Sequence, residues 1–187
     1  VNGHTFAVDA GFPHTGFTGA EFTLNAPGPA SDYTWSSSST WATVDGAGKV
    51  RFTQKGNAAP VTITATPTAG GDLLSYTFTV TDWFIHNGST LMNWRDAANW
   101  CTSQGATQPT VAKLKLSLDQ NTRGVGSLWS EWGRMDNYHS SSGFYSDIYW
   151  SSESHSTDTY YSVYLYNGDN FSGYESINNA VVCLQSL

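Results

Sequence analysis

The sequence predicts an all-β sandwich over residues 1–82 followed by an α+β domain over residues 83–187, held by one disulfide. Three observations carry that prediction. Short alternating apolar segments separated by Gly, Pro and Ser clusters fill the first part. Helical spacing of apolar residues begins only after Trp83. Two cysteines, Cys101 and Cys183, stand near the start and end of the second part.

In the first part, Leu74, Tyr76, Phe78 and Val80 alternate with Ser75, Thr77 and Thr79, the pattern of a half-buried strand. Val61, Ile63 and Ala65 alternate with Thr62, Thr64 and Thr66 in the same way. Phe22 with Leu24, and Val50 with Phe52, supply two more strands. Asp45-Gly46-Ala47-Gly48 predicts a hairpin turn with a positive-φ glycine. Pro27, Pro29 and Pro67 sit between runs, where a missing N–H does no harm. No helical period appears in residues 1–82.

After Trp83, Asn93 is placed to cap a helix and Asp96 to reach back to it. Trp94, Ala97, Ala98 and Cys101 then share one face, and Gly105 ends the helix. A second helix is predicted at Ser127–Trp132, closed by Gly133, with Leu128 and Trp132 on one side. Ile148–Ser151, Tyr160–Tyr166 and Asn179–Leu184 read as strands, which makes the second part α+β. A packed junction between the two parts is expected around Asp82–Ile85.

The cysteines would be free thiols in an intracellular enzyme. An even count in a Ser/Thr/Asn-rich chain favours an oxidising compartment and a Cys101–Cys183 bridge. Such a bridge closes a long loop and is expected to stabilise the fold by about 4–5 kcal/mol. There is no C-x-x-C and no nearby His pair, so zinc is not expected.

Composition narrows the function. Charged residues make up 12% of the chain and aromatics 14%, so the chain is polar without being charged, and aromatic enough to fold. Eight basic against 15 acidic residues give a net charge of −7. The deficit is spread: 3 basic and 6 acidic groups lie in residues 1–82, and 5 and 9 in the rest. Without a basic stripe, neither nucleic acid nor an anionic membrane surface is an expected partner. The apolar runs are too short for membrane insertion, and no signal peptide is recognisable, so the chain reads as a mature protein or an excised piece.

Catalytic motifs are missing: no G-x-S-x-G, no H-E-x-x-H, no P-loop, and a Gly124-Val125-Gly126 that lacks the rest of a dinucleotide fingerprint. His139, His155, Asp147 and Glu153 form the densest ligand-like group, at spacings that suit solvated loops better than a metal. Glu131 and Glu153 have no fixed separation that would make them a glycosidase pair. No enzyme activity, metal or cofactor is expected. Six of the eight Trp and eight of the ten Tyr lie in residues 83–187. Several Tyr sit among Ser, Gly and Asn, a composition suited to protein recognition.

Two stretches carry a resemblance. Trp35-Ser36-Ser37 through Ala42-Thr43-Val44-Asp45, then Gly48-Lys49-Val50 and Val61-Thr62-Ile63-Thr64-Ala65, resembles the bacterial Ig-like (BIg2) repeat. Trp94-x-x-Ala97-x-x-x-Cys101 with Ala180-Val181-Val182-Cys183, supported by Gly126–Gly133 and Tyr149-Trp150, resembles a C-type-lectin-like domain. That module order resembles the carboxy-terminal tip of the intimin/invasin adhesins. Animal C-type lectins bind sugar through calcium with E-P-N and W-N-D motifs. This chain has neither, and Gln108-Pro109-Thr110 reads as an ordinary turn.

The resemblance implies the exposed tip of an outer-membrane-anchored bacterial adhesin. It implies a monomer that binds a host protein, whether integrin, a delivered receptor or immunoglobulin, without calcium. The alternative is a calcium-independent carbohydrate-binding module. Asp136 and Asp147 bracket one candidate loop; Tyr166–Glu175 is expected to be a second loop. The partner-binding residues expected from these loops are Tyr138, Tyr145, Asp147, Tyr166, Asp169, Phe171 and Tyr174.

Overall fold

The computed structural model describes residues 1–187. The first part contains β1 (Thr15–Gly16), β2 (Glu21–Thr23), β3 (Tyr33–Ser37), β4 (Ala42–Val44), β5 (Lys49–Phe52), β6 (Val61–Pro67) and β7 (Leu74–Phe78). There follow β8 (Asp82–His86), α1 (Trp94–Ser103), α2 (Val111–Lys115), α3 (Leu128–Trp132) and α4 (His139–Ser142). The chain closes with β9 (Ile148–Ser156), β10 (Thr159–Tyr164), β11 (Asp169–Tyr174) and β12 (Val182–Ser186).

Two three-stranded antiparallel sheets, β2-β5-β4 and β3-β6-β7, form the first part. The alternation explains their packing: Phe22, Val50 and Phe52 from one sheet and Val61, Ile63 and Phe78 from the other are all buried in one cluster. Leu74, at the open end of edge strand β7, is exposed. The Asp45–Gly48 turn forms as expected. Asp45 Oδ1 accepts from the N–H of Ala47 and Lys49, both at 2.9 Å. Gly48 has φ +74°, and a Cβ there would lie 2.9 Å from the Trp35 ring.

In the second part β8 is the centre of a sheet β1-β8-β12, with β1 parallel and β12 antiparallel to it. The other sheet is an antiparallel meander, β11-β10-β9. Asn93 caps α1, its side chain accepting from the Asp96 N–H at 2.9 Å, and Asn93 Nδ2 donates to the Asp96 carboxylate. Ala97 and Cys101 are buried on the inner face, and Gly105 leaves the helix at φ +65°. The Cys101–Cys183 disulfide joins α1 to β12 across 82 residues of sequence.

The junction is a continuous apolar interior. Trp83 lies 6.0 Å from Phe52 and 5.9 Å from Trp41, ring centre to ring centre. Trp132 of α3 lies 5.1 Å from Phe12 and 5.9 Å from Phe52. Within this interior Glu131 is wholly buried. It accepts from the N–H groups of His14 and Thr15 (2.8 Å each) and of Gly126 (3.0 Å), and from the Thr15 hydroxyl. Burial raises the pKa of this carboxyl and the four donors oppose the rise. Arg123 spans the same region, its guanidinium donating to the carbonyls of Val1, Asn2, Ser130 and Glu131.

Three expectations need correction. The stretch Tyr166–Glu175 is not a loop: Asp169–Tyr174 is strand β11, paired along its length with β10. Asp, Asn, Ser and Gly weigh against a strand locally, and the pairing to β10 overrides them. The segment after α3 is likewise no open loop. A 3₁₀ turn, Met135–Tyr138, runs into α4. The short helix α2 also lies outside the two helices expected; Thr110 caps it, and the Val111 N–H donates to Glu153 Oε2 at 2.5 Å.

Candidate functional site

The turn after β10 and the segment around α4 meet at one end of the β9–β11 sheet. Arg134 joins them. Its guanidinium carbon lies 4.0 Å from the Tyr166 ring centre, and Nη1 donates to the Tyr166 hydroxyl at 3.0 Å. Nε and Nη2 donate to the two oxygens of Asp136, both at 2.8 Å. That bidentate pair holds the Asp136 carboxyl below the usual carboxylate range. Tyr166 stacks on Tyr164 with centres 5.5 Å apart, and the Tyr164 hydroxyl is hydrogen-bonded to Ser146 Oγ at 3.0 Å.

The expected residues divide sharply. Tyr138 is only 7% exposed; its ring packs edge-on against Phe17 and Trp132, and burial pushes its hydroxyl pKa up. It serves the interior. Tyr145 (39% exposed), Tyr166 (36%), Phe171 (45%) and Tyr174 (65%) all present ring surface to solvent. Tyr145 lies against His139, with ring centres 4.4 Å apart. Tyr174 stands at the far end of β11, opposite Thr159, whereas Asp169 and Phe171 lie opposite Tyr164 and Ser162. Tyr145 and Asp147 flank Ser146, which meets the Tyr164 hydroxyl beside Tyr166, and Asp169 lies opposite Tyr164; Phe171 stands two residues along β11 and Tyr174 at its far end.

The three candidate carboxylates differ in what they have left to offer. Both oxygens of Asp136 are taken by Arg134. Asp169 accepts from Asn121 Nδ2 at 2.6 Å on one oxygen and from Asn167 Nδ2 at 2.7 Å on the other. Asp147 accepts only at Oδ1, from the Ile148 N–H at 2.7 Å. Its second oxygen is open.

Below β11, Lys115 is buried at the end of α2 and donates to Asn121 Oδ1 at 2.5 Å and Asn170 Oδ1 at 3.0 Å. Ile177 covers Gly173, where a Cβ would approach Ile177 Cδ1 to 2.5 Å, and is itself exposed. Arg134, Tyr164, Ser146 and Ile177 were missed by the sequence reading. Asp136 is two residues from Arg134, but the partners that bring Arg134 to Tyr166 and Ser146 to Tyr164 lie 32 and 18 residues away, beyond any local spacing. The polar groups considered for chemistry are scattered. Glu131 lies in the interior, Glu153 receives the first N–H of α2, and His155 packs edge-on to Tyr161.

Comparison with known proteins is consistent along the chain. The family profile described as invasin, domain 4, matches residues 1–78. The chain is 42% identical over 163 residues to the inverse autotransporter adhesin YeeJ of Escherichia coli (strain K12), covering 84% of this chain and 7% of that protein. It is 31% identical over 163 residues to invasin of Yersinia enterocolitica, covering 84% of this chain and 19% of that protein. The chain therefore spans a small part of either relative. The crystal structure of invasin, described as a bacterial integrin-binding protein, superimposes with a TM-score of 0.87 at 28% identity, over 100% of this chain and 38% of that one. The carboxy-terminal 282-residue fragment of intimin, in complex with the intimin-binding domain of the translocated intimin receptor, gives a TM-score of 0.67 at 20% identity, covering 94% of this chain and 62% of that one. The latter likeness is one of fold.

Proposed function

Because this chain belongs to the intimin/invasin family of bacterial adhesins, we propose that it is the receptor-binding tip of such an adhesin, displayed at the bacterial surface. In this reading residues 1–82 are an Ig-like module and residues 83–187 a C-type-lectin-like one. The second module, acting in a monomer, binds a host protein without calcium. Its relatives are adhesins, not enzymes. The observation that carries the proposal is the superposition on an integrin-binding protein over the whole chain, both parts together, at a TM-score of 0.87. The exposed Tyr145, Tyr166 and Phe171, and an Asp147 carboxylate with one oxygen left open, support it. An integrin takes such a carboxylate into the coordination of its own metal ion.

The test is binding of the labelled 187-residue fragment to cultured epithelial cells, to immobilised integrin ectodomains and to serum immunoglobulin. Saturable binding that is lost after trypsin treatment of the cells, or seen directly with a purified receptor, supports a protein partner. Binding that resists trypsin and is lost on deglycosylation gives the carbohydrate reading instead. No saturable binding to any of the three overturns the proposal. Calorimetric titration of calcium into the fragment alone separates its own metal requirement from that of an integrin.

A further inference from the structure

We propose that β11 is a docking edge which takes up an extended segment of the partner protein as an added strand. The proposal deepens the reading above and rests on it for the identity of the partner class as protein.

The sheet β11-β10-β9 has two edges, and they are treated differently. The β9 edge is covered. Trp150 N–H donates to the Ala180 carbonyl, Ala180 N–H to the Ile148 carbonyl, and Ser152 N–H to the Pro109 carbonyl. The β11 edge has no comparable backbone cover: Asn121 and Lys115 reach only the side chains of its first two residues, Asp169 and Asn170. Apart from its pairing with β10, the only other backbone-to-backbone hydrogen bond to residues 169–174 comes from the Ile177 N–H, which donates to the Tyr174 carbonyl at the end of the strand.

The direction of the free groups follows from the ladder. Glu175 N–H donates to the Asp158 carbonyl, so that pair and every second pair after it, Gly173–Tyr160, Phe171–Ser162 and Asp169–Tyr164, exchange hydrogen bonds. Asn170 and Ser172 therefore turn their N–H and C=O away from β10. Such a row of groups is satisfied in full only by water or by another extended backbone.

Folded proteins usually protect an edge of this kind with Lys, Pro or a bulge. The strand Asp169-Asn170-Phe171-Ser172-Gly173-Tyr174 has none of the three: its one charge is at the first residue, and its register with β10 is unbroken. Instead it shows Phe171 on one face and Tyr174 on the other, both well exposed. An incoming strand would find an aromatic ring on each side of it, and this is the pattern of recognition by strand addition.

Charge weighs against a second copy. In the antiparallel register centred on Ser172, in which Asn170 faces Tyr174, Asp169 of one copy stands opposite Glu175 of the other. Like charges in that position oppose the pairing. The strand is flanked by Asp158, Asp169 and Glu175, with Arg95 already paired to Glu175 at 3.3 Å. The segment that fits has an uncharged centre with bulky apolar side chains at alternate positions and basic residues toward its ends.

The experiment selects a random linear peptide library on the immobilised 187-residue fragment. Selected peptides are then assayed against wild type, Ser172→Ala and Ser172→Pro. Proline at 172 removes an outward N–H and leaves the β10 ladder intact, and Phe171 before it is already extended. The expected result is peptides with alternating apolar residues that protect the Asn170 and Ser172 amides from hydrogen exchange. Their affinity should be unchanged by Ser172→Ala and should fall about tenfold or more with Ser172→Pro. Near-UV circular dichroism of the proline variant checks that the fold is kept.

Recovery of no such peptide, absence of amide protection, or equal affinity for the proline variant overturns the proposal. Dimerisation of the wild-type fragment by sedimentation, abolished by Ser172→Pro, would assign the edge to a second copy and overturn it as well. Host-cell binding that is lost with Tyr166→Ala and Phe171→Ala but not with Ser172→Pro would refute strand addition while leaving the adhesin reading in place. Peptide docking at β11 without any host binding would do the reverse.

Discussion

Thr15 meets Glu131 twice, through its backbone N–H at 2.8 Å and through its hydroxyl. The same hydroxyl oxygen accepts from Trp132 Nε1–H at 2.9 Å, and its own proton is given to the carboxylate. All four groups around the carboxylate act as donors to it, three of them backbone N–H groups that can only donate, and an amide in its place turns an NH₂ toward some of them. Glu131→Gln is expected to destabilise the fold by about 1–3 kcal/mol, the cost of leaving buried donors without an acceptor. Urea unfolding with tryptophan fluorescence measures it. A change near zero would show that the clamp contributes nothing net.

His86 predicts a pH dependence. The Gly88 N–H donates to Nδ1 at 3.0 Å, which leaves Nε2 as the donor to the Ser142 carbonyl at 2.8 Å and fixes the neutral ring. Burial lowers its pKa, the Ser142 carbonyl opposes that, and His139 adds to the lowering. A depressed folded-state value means the unfolded chain binds the proton more readily. The contribution is fully present above the unfolded value of about 6.5 and is lost as pH falls below it, at no more than about 1.4 kcal/mol per pH unit. The melting temperature should drop between about pH 7.5 and 5.5. His86→Leu should be less stable but flatter over that range. An unchanged slope would remove His86 as its source.

Removing the bridge by Cys101→Ala with Cys183→Ala frees a segment of 82 residues' separation and should cost about 4–5 kcal/mol on the chain-entropy model. Differential scanning calorimetry of the double variant checks this. The loss should fall on α1 and β12, which the bridge ties together, so hydrogen exchange there should accelerate before that of β6.

Asp147 and Asp169 should separate in receptor binding. Asp147→Asn should weaken binding to an integrin ectodomain by at least about tenfold, as loss of a metal-completing oxygen requires. Asp169→Asn should have a smaller effect, because both its oxygens already serve Asn121 and Asn167. Surface plasmon resonance on the folded variants ranks them. Equal losses, or the reverse order, would place the contact elsewhere.

Gly168 has φ +82°, and a Cβ on it would lie 2.8 Å from the Trp129 ring. Gly168→Ala should therefore displace the turn that carries Tyr166 and lower stability by about 1–3 kcal/mol, combining backbone strain with overpacking. Loss of the Tyr164–Tyr166 stack would be visible as altered near-UV circular dichroism. An unperturbed spectrum and midpoint would contradict the close packing of this turn.

The legible parts of this fold are those set by neighbours in sequence. Asn93, Asp96, Ala97 and Cys101 declare a capped amphipathic helix within nine residues, and the structure has that helix. The Asp45–Gly48 turn and the buried alternation of Val61, Ile63 and Ala65 were equally local. What could not be read depends on distant partners. Tyr138 stands among Asp, Asn, His and Ser and looks like a surface residue; Phe17 draws it inside from the other part of the chain. β11 is made by β10, against its own composition. A local signal for α2 did exist in Thr110, a capping residue whose side chain accepts from the Lys113 N–H.

The first two residues have a mechanical consequence. The carbonyls of Val1 and Asn2 are gripped by Arg123, and Asn2 Nδ2 donates to the Trp132 carbonyl at 2.7 Å and the Arg134 carbonyl at 3.0 Å. Arg134 in turn lies over Tyr166. A displacement of the Val1–Asn2 segment is thus handed across to α3 and Arg134, and reaches the ring of Tyr166 through side chains rather than through the strands β2–β7.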